Sequence, residues 1–266
     1  MMDGRIISDQ VGDRRPAMTQ FSARTPSVRE AIFRRSLALL ILPFLSSSLN
    51  ALVGADLADR IVQRYTVVIA SQKGRCSGVL LAQDIVLTAG HCILPGEKLN
   101  VGGTIGGGDQ PLQAFLFTPV EQIVVHPLYK PNDAGSPDLA MLKLAKPLPD
   151  RFIPATLNAR GLSVGDDLIA AGFGKTAARD SKPGMVLRMV LLRVSDSVRG
   201  WVMLASVGDD VSGGGAGDSG GPVFSYRGMH SLVGIIVAVS PTRTKAVALS
   251  AHYDWIKDTM AKLSAP

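Results

Sequence analysis

A dozen short apolar runs, each cut off by Gly, Pro, Asn, Asp or Ser, constrain this chain more than any other feature. "YTVVIA", "SGVLLA", "DIVLTAG", "LQAFLF", "EQIVVH" and "LAMLKLA" precede residue 150, and "DDLIAAGFG", "VLRMVLLRV", "WVMLASV", "GPVFSY", "SLVGIIVAV" and "AVALSA" follow it. Runs this short and this rich in Val and Ile suit strands rather than helices. The Pro-rich "KPLPDRFIP" between the two sets suits a linker. Only the last stretch, "HYDWIKDTMAKL", spaces apolar residues as a helix does, with Tyr253, Ile256, Met260 and Leu263 on one side. The expectation is an all-β chain of two antiparallel units with one terminal helix packed back on the body. At 266 residues and 46% hydrophobic content the chain can bury a substantial core.

Residues 1–51 read as a targeting segment. Arg34 and Arg35 close a basic region, "LALLILPFL" (Leu37–Leu45) is an apolar run too short to span a bilayer, and "SSSLNA" supplies small residues after it. The chain is expected to be exported, secreted or periplasmic, without stable membrane insertion after processing. A signal-anchored form is the alternative, and Met18 is an alternative start to Met1 or Met2. The net charge of +6 does not mark a nucleic-acid partner, because residues 1–51 hold seven Arg against four acids and the other 21 basic and 18 acidic groups are scattered. Cys76 and Cys92 stand sixteen residues apart. In an exported chain a disulfide is the default, and closing a loop of that size contributes about 3 kcal/mol. Reduced core thiols are the alternative, two cysteines alone make no metal site, and no cofactor is implied.

Three segments carry chemistry. "VLTAGHC" puts His91 just past a strand, "SPDLAMLKL" puts Asp138 at the head of a buried strand, and "GAGDSGGPVF" puts Ser219 in a glycine-rich turn. A serine hydroxyl is a weak nucleophile and needs a neutral imidazole to take its proton; that role fits His91. The imidazole needs a carboxylate on its far nitrogen to hold one tautomer and stabilise the cation; Asp138 fits. Glycines around Ser219 let the N–H groups of Gly217 and Ser219 face one developing oxyanion. Asp133 is a rival carboxylate, but its Gly/Pro loop would leave it solvated. His126, His230 and His252 read as structural. "GDSGG" also matches the nucleophile elbow of α/β-hydrolases, which requires a helix after the serine and the order Ser, acid, His. Here Pro222 and "VFSY" follow, and the order is His, Asp, Ser.

Together these segments resemble the chymotrypsin/trypsin family of serine proteases, and the chain is read as a bacterial-type member. The resemblance runs from Leu52 to the terminal helix and is most specific in "TAGHC" and "GDSGGP". It implies two antiparallel six-stranded β-barrels, about 52–146 and about 160–251, and a C-terminal helix at 252–264. It also implies a monomeric endopeptidase that cleaves protein or peptide substrates through an acyl-enzyme. A catalytically weak relative serving as a binding module is the alternative.

The resemblance extends to the substrate pocket and the N-terminus. Further family disulfides are missing, and the serine of the family's "SWG" segment, which supports the catalytic carboxylate, aligns with Val237. Gly213 stands where trypsin-like enzymes carry an aspartate, six residues before the nucleophile. Val237, Ala238 and Val239 align with the pocket wall, which implies small aliphatic residues before the scissile bond. Arg243 and Lys245 offer an acidic preference instead, and Asp209 or Asp210 a basic one. Family members also tuck a new N-terminus, "IVGG", against the aspartate preceding the nucleophile, here Asp218. "LVGA" at Leu52 lies 24 residues before Cys76, the spacing that this register needs, whereas Ile61 lies 15 before it. Leu52 and Asp218 are therefore the expected activation pair, freed by the protease that removes the leader.

Overall fold

The computed structural model describes residues 56–105, 113–174, 186–198, 200–207, 215–227, 230–240 and 242–265. The leader, Leu52, Asp209, Asp210 and Gly213 lie outside them. The two-residue strand β1 (Asp56–Leu57) lies along β9, and a short helix α1 (Arg60–Tyr65) follows it. Six strands then close into a barrel: β2 (Thr66–Ser71), β3 (Gly74–Ala82), β4 (Ile85–Thr88), β5 (Asn100–Ile105), β6 (Gln113–Val125) and β7 (Ala140–Leu144), in the order β2-β3-β4-β7-β6-β5. The next six are β8 (Asp167–Gly172), β9 (Arg188–Val198), β10 (Trp201–Ser206), β11 (Pro222–Ser225), β12 (Leu232–Val239) and β13 (Arg243–Ala248). They run β8-β9-β10-β13-β12-β11, and the β11–β8 ladder closes this second barrel. Helix α2 (Tyr253–Ser264) ends the described chain.

Successive strand residues point to opposite faces; in β2, β3, β4, β7, β8, β11 and β12 both faces are largely buried, whereas β9 alternates buried and exposed residues. Val67, Ile69, Leu80, Val86, Val101, Leu142 and Leu144 fill the first barrel, while Leu168, Ala170, Leu192, Val194, Leu204 and Ile236 fill the second. Their strand neighbours, among them Val68, Val79, Leu87, Met141, Ile169, Ala171, Ile235 and Val247, form a third cluster between the barrels with Ile256 and Leu263 of α2. Double burial makes those strands continuous apolar runs rather than alternating ones. It also presses the barrels together along one seam, where loops from both meet.

The strand reading needs two corrections. "LQAFLF" and "EQIVVH" belong to one thirteen-residue strand, β6, rather than two. The missing sixth strand is β5, "NVGGTI". Its Gly102 and Gly103 leave no apolar run, and both are required by space: a Cβ on Gly102 would collide with the Leu116 carbonyl, and one on Gly103 with the Phe152 ring. That ring belongs to the linker stretch, which is packed, not loose; Leu148 and Phe152 are buried and Ala155 N donates to Leu80 O at 2.8 Å. "RIVQRY", which contains Ile61, is helix α1. Asp59 caps it by accepting from Val62 N at 2.7 Å. Among the described residues no helix is long and apolar enough to cross a membrane.

Candidate active site

Strand β4 pairs with β7 so that Thr88 faces Ala140, which brings the end of one strand beside the head of the other. The chain leaves β4 through a 3-10 turn, Gly90–Cys92, and His91 sits on it. Asp138 stands two residues before β7. Its carboxylate accepts twice from one residue: Oδ1 from the His91 backbone N–H at 2.8 Å, and Oδ2 from the ring Nδ1 at 2.7 Å. With Nδ1 the donor, Nε2 is left as the acceptor that a general base requires. The Asp138 side chain is 15% exposed and that of His91 36%, so the imidazole is reachable while its partner is screened. The Tyr129 ring packs behind this pair, and burial and then the Asp138 charge hold its phenol above the usual range. Asp133 is not the partner; it accepts from Gly135 N at 2.9 Å and is exposed.

The turn carrying Ser219 docks onto this site from the second barrel. Cys76 of β3 and Cys92 form a disulfide with a Cα separation of 6.2 Å. The Cys92 sulfur, one residue from His91, lies 3.8 Å from the Ser219 carbonyl oxygen. Ser77 N donates to that same oxygen at 2.8 Å. Gly217 (φ 106°) and Gly220 (φ 80°) take up left-handed conformations that fold the turn back on itself, and a Cβ on Gly220 would collide with the Thr88 hydroxyl and the Ser77 carbonyl. Inside the turn, Asp218 N donates to Gly215 O, Gly220 N to Ile236 O and Gly221 N to Asp218 O. Among the described residues the N–H groups of Gly217 and Ser219 have no acceptor. The half-buried Ser219 hydroxyl has no hydrogen-bond partner among them either, including His91, a looseness common in sites without substrate.

Asp218 is fully buried. It accepts from Gly174 N at 2.7 Å and Gly215 N at 2.8 Å and has no ion pair among the described residues. Burial pushes its carboxyl above the usual range, against the pull of the Gly215 and Gly174 N–H groups and of the Arg75 guanidinium. A carboxylate in such a place is stabilised by any cation brought to it.

Beside His91 and Asp138 runs a mostly apolar groove of about 680 Å³, walled by Leu94, Tyr129, Trp201 and Val237. Val237 and Asp138 line the same groove, and Val237 has no side-chain group to hydrogen-bond the carboxylate. The register shifts between Ile236 and Ala238, and after it Val239 stands opposite Thr244 and packs against the interior of the second barrel. Thr244 is fully buried with its hydroxyl unpartnered, a feature the sequence reading missed and that strand alternation from Ala246 would have revealed. Lys245 points the other way. Its ammonium donates to Ala134 O at 2.7 Å and lies 3.9 Å from the centre of the Trp201 ring, facing the groove rather than the barrel interior. Arg243 is exposed. His126 packs against His252 and Trp255 at ring distances of 5.1 and 4.6 Å, and His230 lies 3.8 Å from Asp59.

Comparison with known proteins gives the same outline. The family model described as "Trypsin" matches residues 52–256. Rat granzyme B is 30% identical over 205 residues, covering 71% of this chain and 80% of its own. Chymotrypsin-like elastase family member 1 of Macaca fascicularis is 28% identical over 211 residues, covering 70% and 79%. Mouse vitamin K-dependent protein C is 28% identical over 191 residues, but the match spans only 41% of that protein's length. These relatives are mammalian and give the bacterial-type reading no support. Among solved structures, mouse neuropsin, a serine protease, has the same fold, with a TM-score of 0.62 at 23% identity over 77% of this chain and 98% of its own.

Proposed function

Because the chain belongs to the trypsin family of serine proteases, we propose that it is an endopeptidase whose His91, Asp138 and Ser219 cleave peptide bonds through an acyl-enzyme. The observation that carries this reading is the double acceptance of His91 by Asp138. It fixes the ring and its tautomer, so Nε2 can take the proton from Ser219 Oγ as that oxygen bonds to the substrate carbonyl carbon. The negative charge moves to the carbonyl oxygen, where the N–H groups of Gly217 and Ser219, unpaired among the described residues, receive it. The C–N bond then breaks as His91 returns its proton to the leaving amine. Water repeats the sequence on the ester and frees Ser219.

For the substrate, the reading is a protein or peptide with a small aliphatic residue before the scissile bond. Val239 and its cross-strand partner Thr244 support it, since directly opposed residues share one face of a ladder and two β-branched side chains leave little depth at the mouth of the second barrel. Export is inferred from residues 1–51, with Leu52 as the new N-terminus. Its α-ammonium would supply the cation that the buried Asp218 lacks. The weak-homologue reading draws on the apolar Val237 in the same groove as Asp138 and on the unbonded Ser219 hydroxyl. The test is a peptide-library digest with the secreted protein, read by mass spectrometry, together with its N-terminal sequence. Cleavage after Ala or Val by a chain beginning at Leu52 is expected. Activity in a chain beginning at Asp56 or Ile61 would refute the activation pair, and no cleavage by folded protein would favour the binding module.

A further inference from the structure

Among the described residues, Ser77 is the one residue of the first barrel that hydrogen-bonds the nucleophile turn at two points. It lies in β3 beside the disulfide cysteine Cys76 and is fully buried. Its hydroxyl donates to Gly217 O at 2.8 Å and accepts from Phe173 N at 2.9 Å, and its backbone N–H donates to Ser219 O at 2.8 Å. The hydroxyl's one O–H and one of its two lone pairs are therefore committed, and its direction is fixed from both sides. The consequence for the turn is specific. The 217–218 peptide is held at its oxygen by Ser77 and at its N–H by Gly215 O; the 219–220 peptide is held at its oxygen by Ser77 and at its N–H by Ile236 O. The N–H groups of Gly217 and Ser219, unpaired among the described residues, adjoin these clamped planes.

We propose that Ser77 is a positioning residue for transition-state stabilisation: its hydroxyl fixes the 217–218 peptide plane, and through it the N–H groups that receive the oxyanion. Gly217 makes the clamp necessary, because a glycine at φ 106° has alternative conformations close in energy, and rotation of the 217–218 plane away from Ser77 swings the Asp218 N–H off Gly215 O and turns the two adjoining planes that carry the Gly217 and Ser219 N–H groups. Without the hydroxyl, Gly217 O and Phe173 N are both left buried without their partner, which favours that rotation. This tie is independent of Asp218 and of whatever cation reaches it. The inference rests on the reading of Gly217 and Ser219 as the oxyanion site.

The test compares Ser77→Ala with Thr88→Val. Thr88 is also fully buried and donates its hydroxyl to Ser77 O at 2.8 Å, so Thr88→Val removes a hydrogen bond from the same spot without touching the 217–218 peptide. Both variants are expected to melt a few degrees lower than the parent. Only Ser77→Ala is expected to lose kcat, by about 10- to 100-fold with KM within about threefold. That is less than the 10²- to 10³-fold typical of deleting a donor outright, since the N–H groups are displaced rather than removed. Affinity for a peptide aldehyde, whose adduct with Ser219 places an oxygen at the oxyanion site, should fall in parallel, while affinity for the matching non-reactive product peptide stays unchanged. An unchanged kcat in Ser77→Ala, or an equal loss in Thr88→Val, would overturn the positioning role. Should Ser77→Ala fail to fold, Ser77→Gly takes its place, and unfolding of both would make the role purely structural and overturn it too. If the parent protein neither turns over peptide nor binds the aldehyde, it is the oxyanion reading itself that fails.

Discussion

Replacing Asp138 by Asn tests the electrostatic arrangement at its centre, because the structure dictates what the amide must do. Asp138 accepts two N–H groups of His91, the backbone at 2.8 Å and Nδ1 at 2.7 Å. An asparagine has one acceptor oxygen and one NH₂ group. The backbone N–H cannot change its nature, so the amide oxygen must face it, and the NH₂ is forced toward Nδ1. That ring nitrogen then has to become the acceptor, which moves the proton to Nε2, the atom that must take the proton of Ser219. The wrong tautomer and the lost charge opposite the imidazolium together predict a fall in kcat of about 10⁴-fold, equivalent to about 5.4 kcal/mol at about 1.36 kcal/mol per factor of ten. Shape is conserved, so the melting temperature should stay within a few degrees and KM within a small factor. Initial rates on a small-residue peptide amide, with active sites counted by titration, decide the matter. Retention of more than a tenth of the parent rate would refute the reasoning, as would an equal loss in Asp133→Asn, whose carboxylate faces Gly135 instead.

Two further outcomes follow from the geometry. Val239→Gly should open the mouth of the second barrel and move the preferred residue before the scissile bond from Ala or Val toward larger side chains; an unchanged peptide-library profile would show that Val239 does not line the pocket. His126 is held at about 4, below its ordinary 6.5, by burial first and then by the charge of His252. The unfolded chain takes up a proton near 6.5 while the folded one resists until about 4, so stability is fully present above 6.5 and drains away as the pH falls through that window. The loss is at most about 3 kcal/mol for this ring. Urea unfolding of the Ser219→Ala protein, which cannot digest itself, should show it, and His126→Phe should flatten the dependence; identical slopes with and without His126 would contradict the assignment.

What was legible in the sequence was local. His91 and Asp138 announce themselves because each ends or begins a buried apolar strand, and a polar group at such a place needs a reason. Ser219 announces itself through glycines whose positive φ values the turn does require. Double burial made most of the runs conspicuous, but it could not reveal β5, where two glycines stand because a neighbouring carbonyl and the Phe152 ring occupy the space of their side chains. The direction of Lys245, which faces the groove beside His91, was not legible, since it depends on strand parity and on a register shift that no composition records. Ser77 was invisible for a different reason: "CSG" carries no motif, and its hydrogen bond to Gly217 spans 140 residues of chain.

The central claim is that Ser219 becomes covalently acylated with His91 as its base, and labelling by a fluorophosphonate, read as intact mass and mapped by peptide sequencing, tests it most directly. The account predicts one adduct per folded chain, on Ser219, formed at a rate that collapses in His91→Ala and is absent in Ser219→Ala. Labelling elsewhere, or folded and processed protein that remains unlabelled, would contradict it.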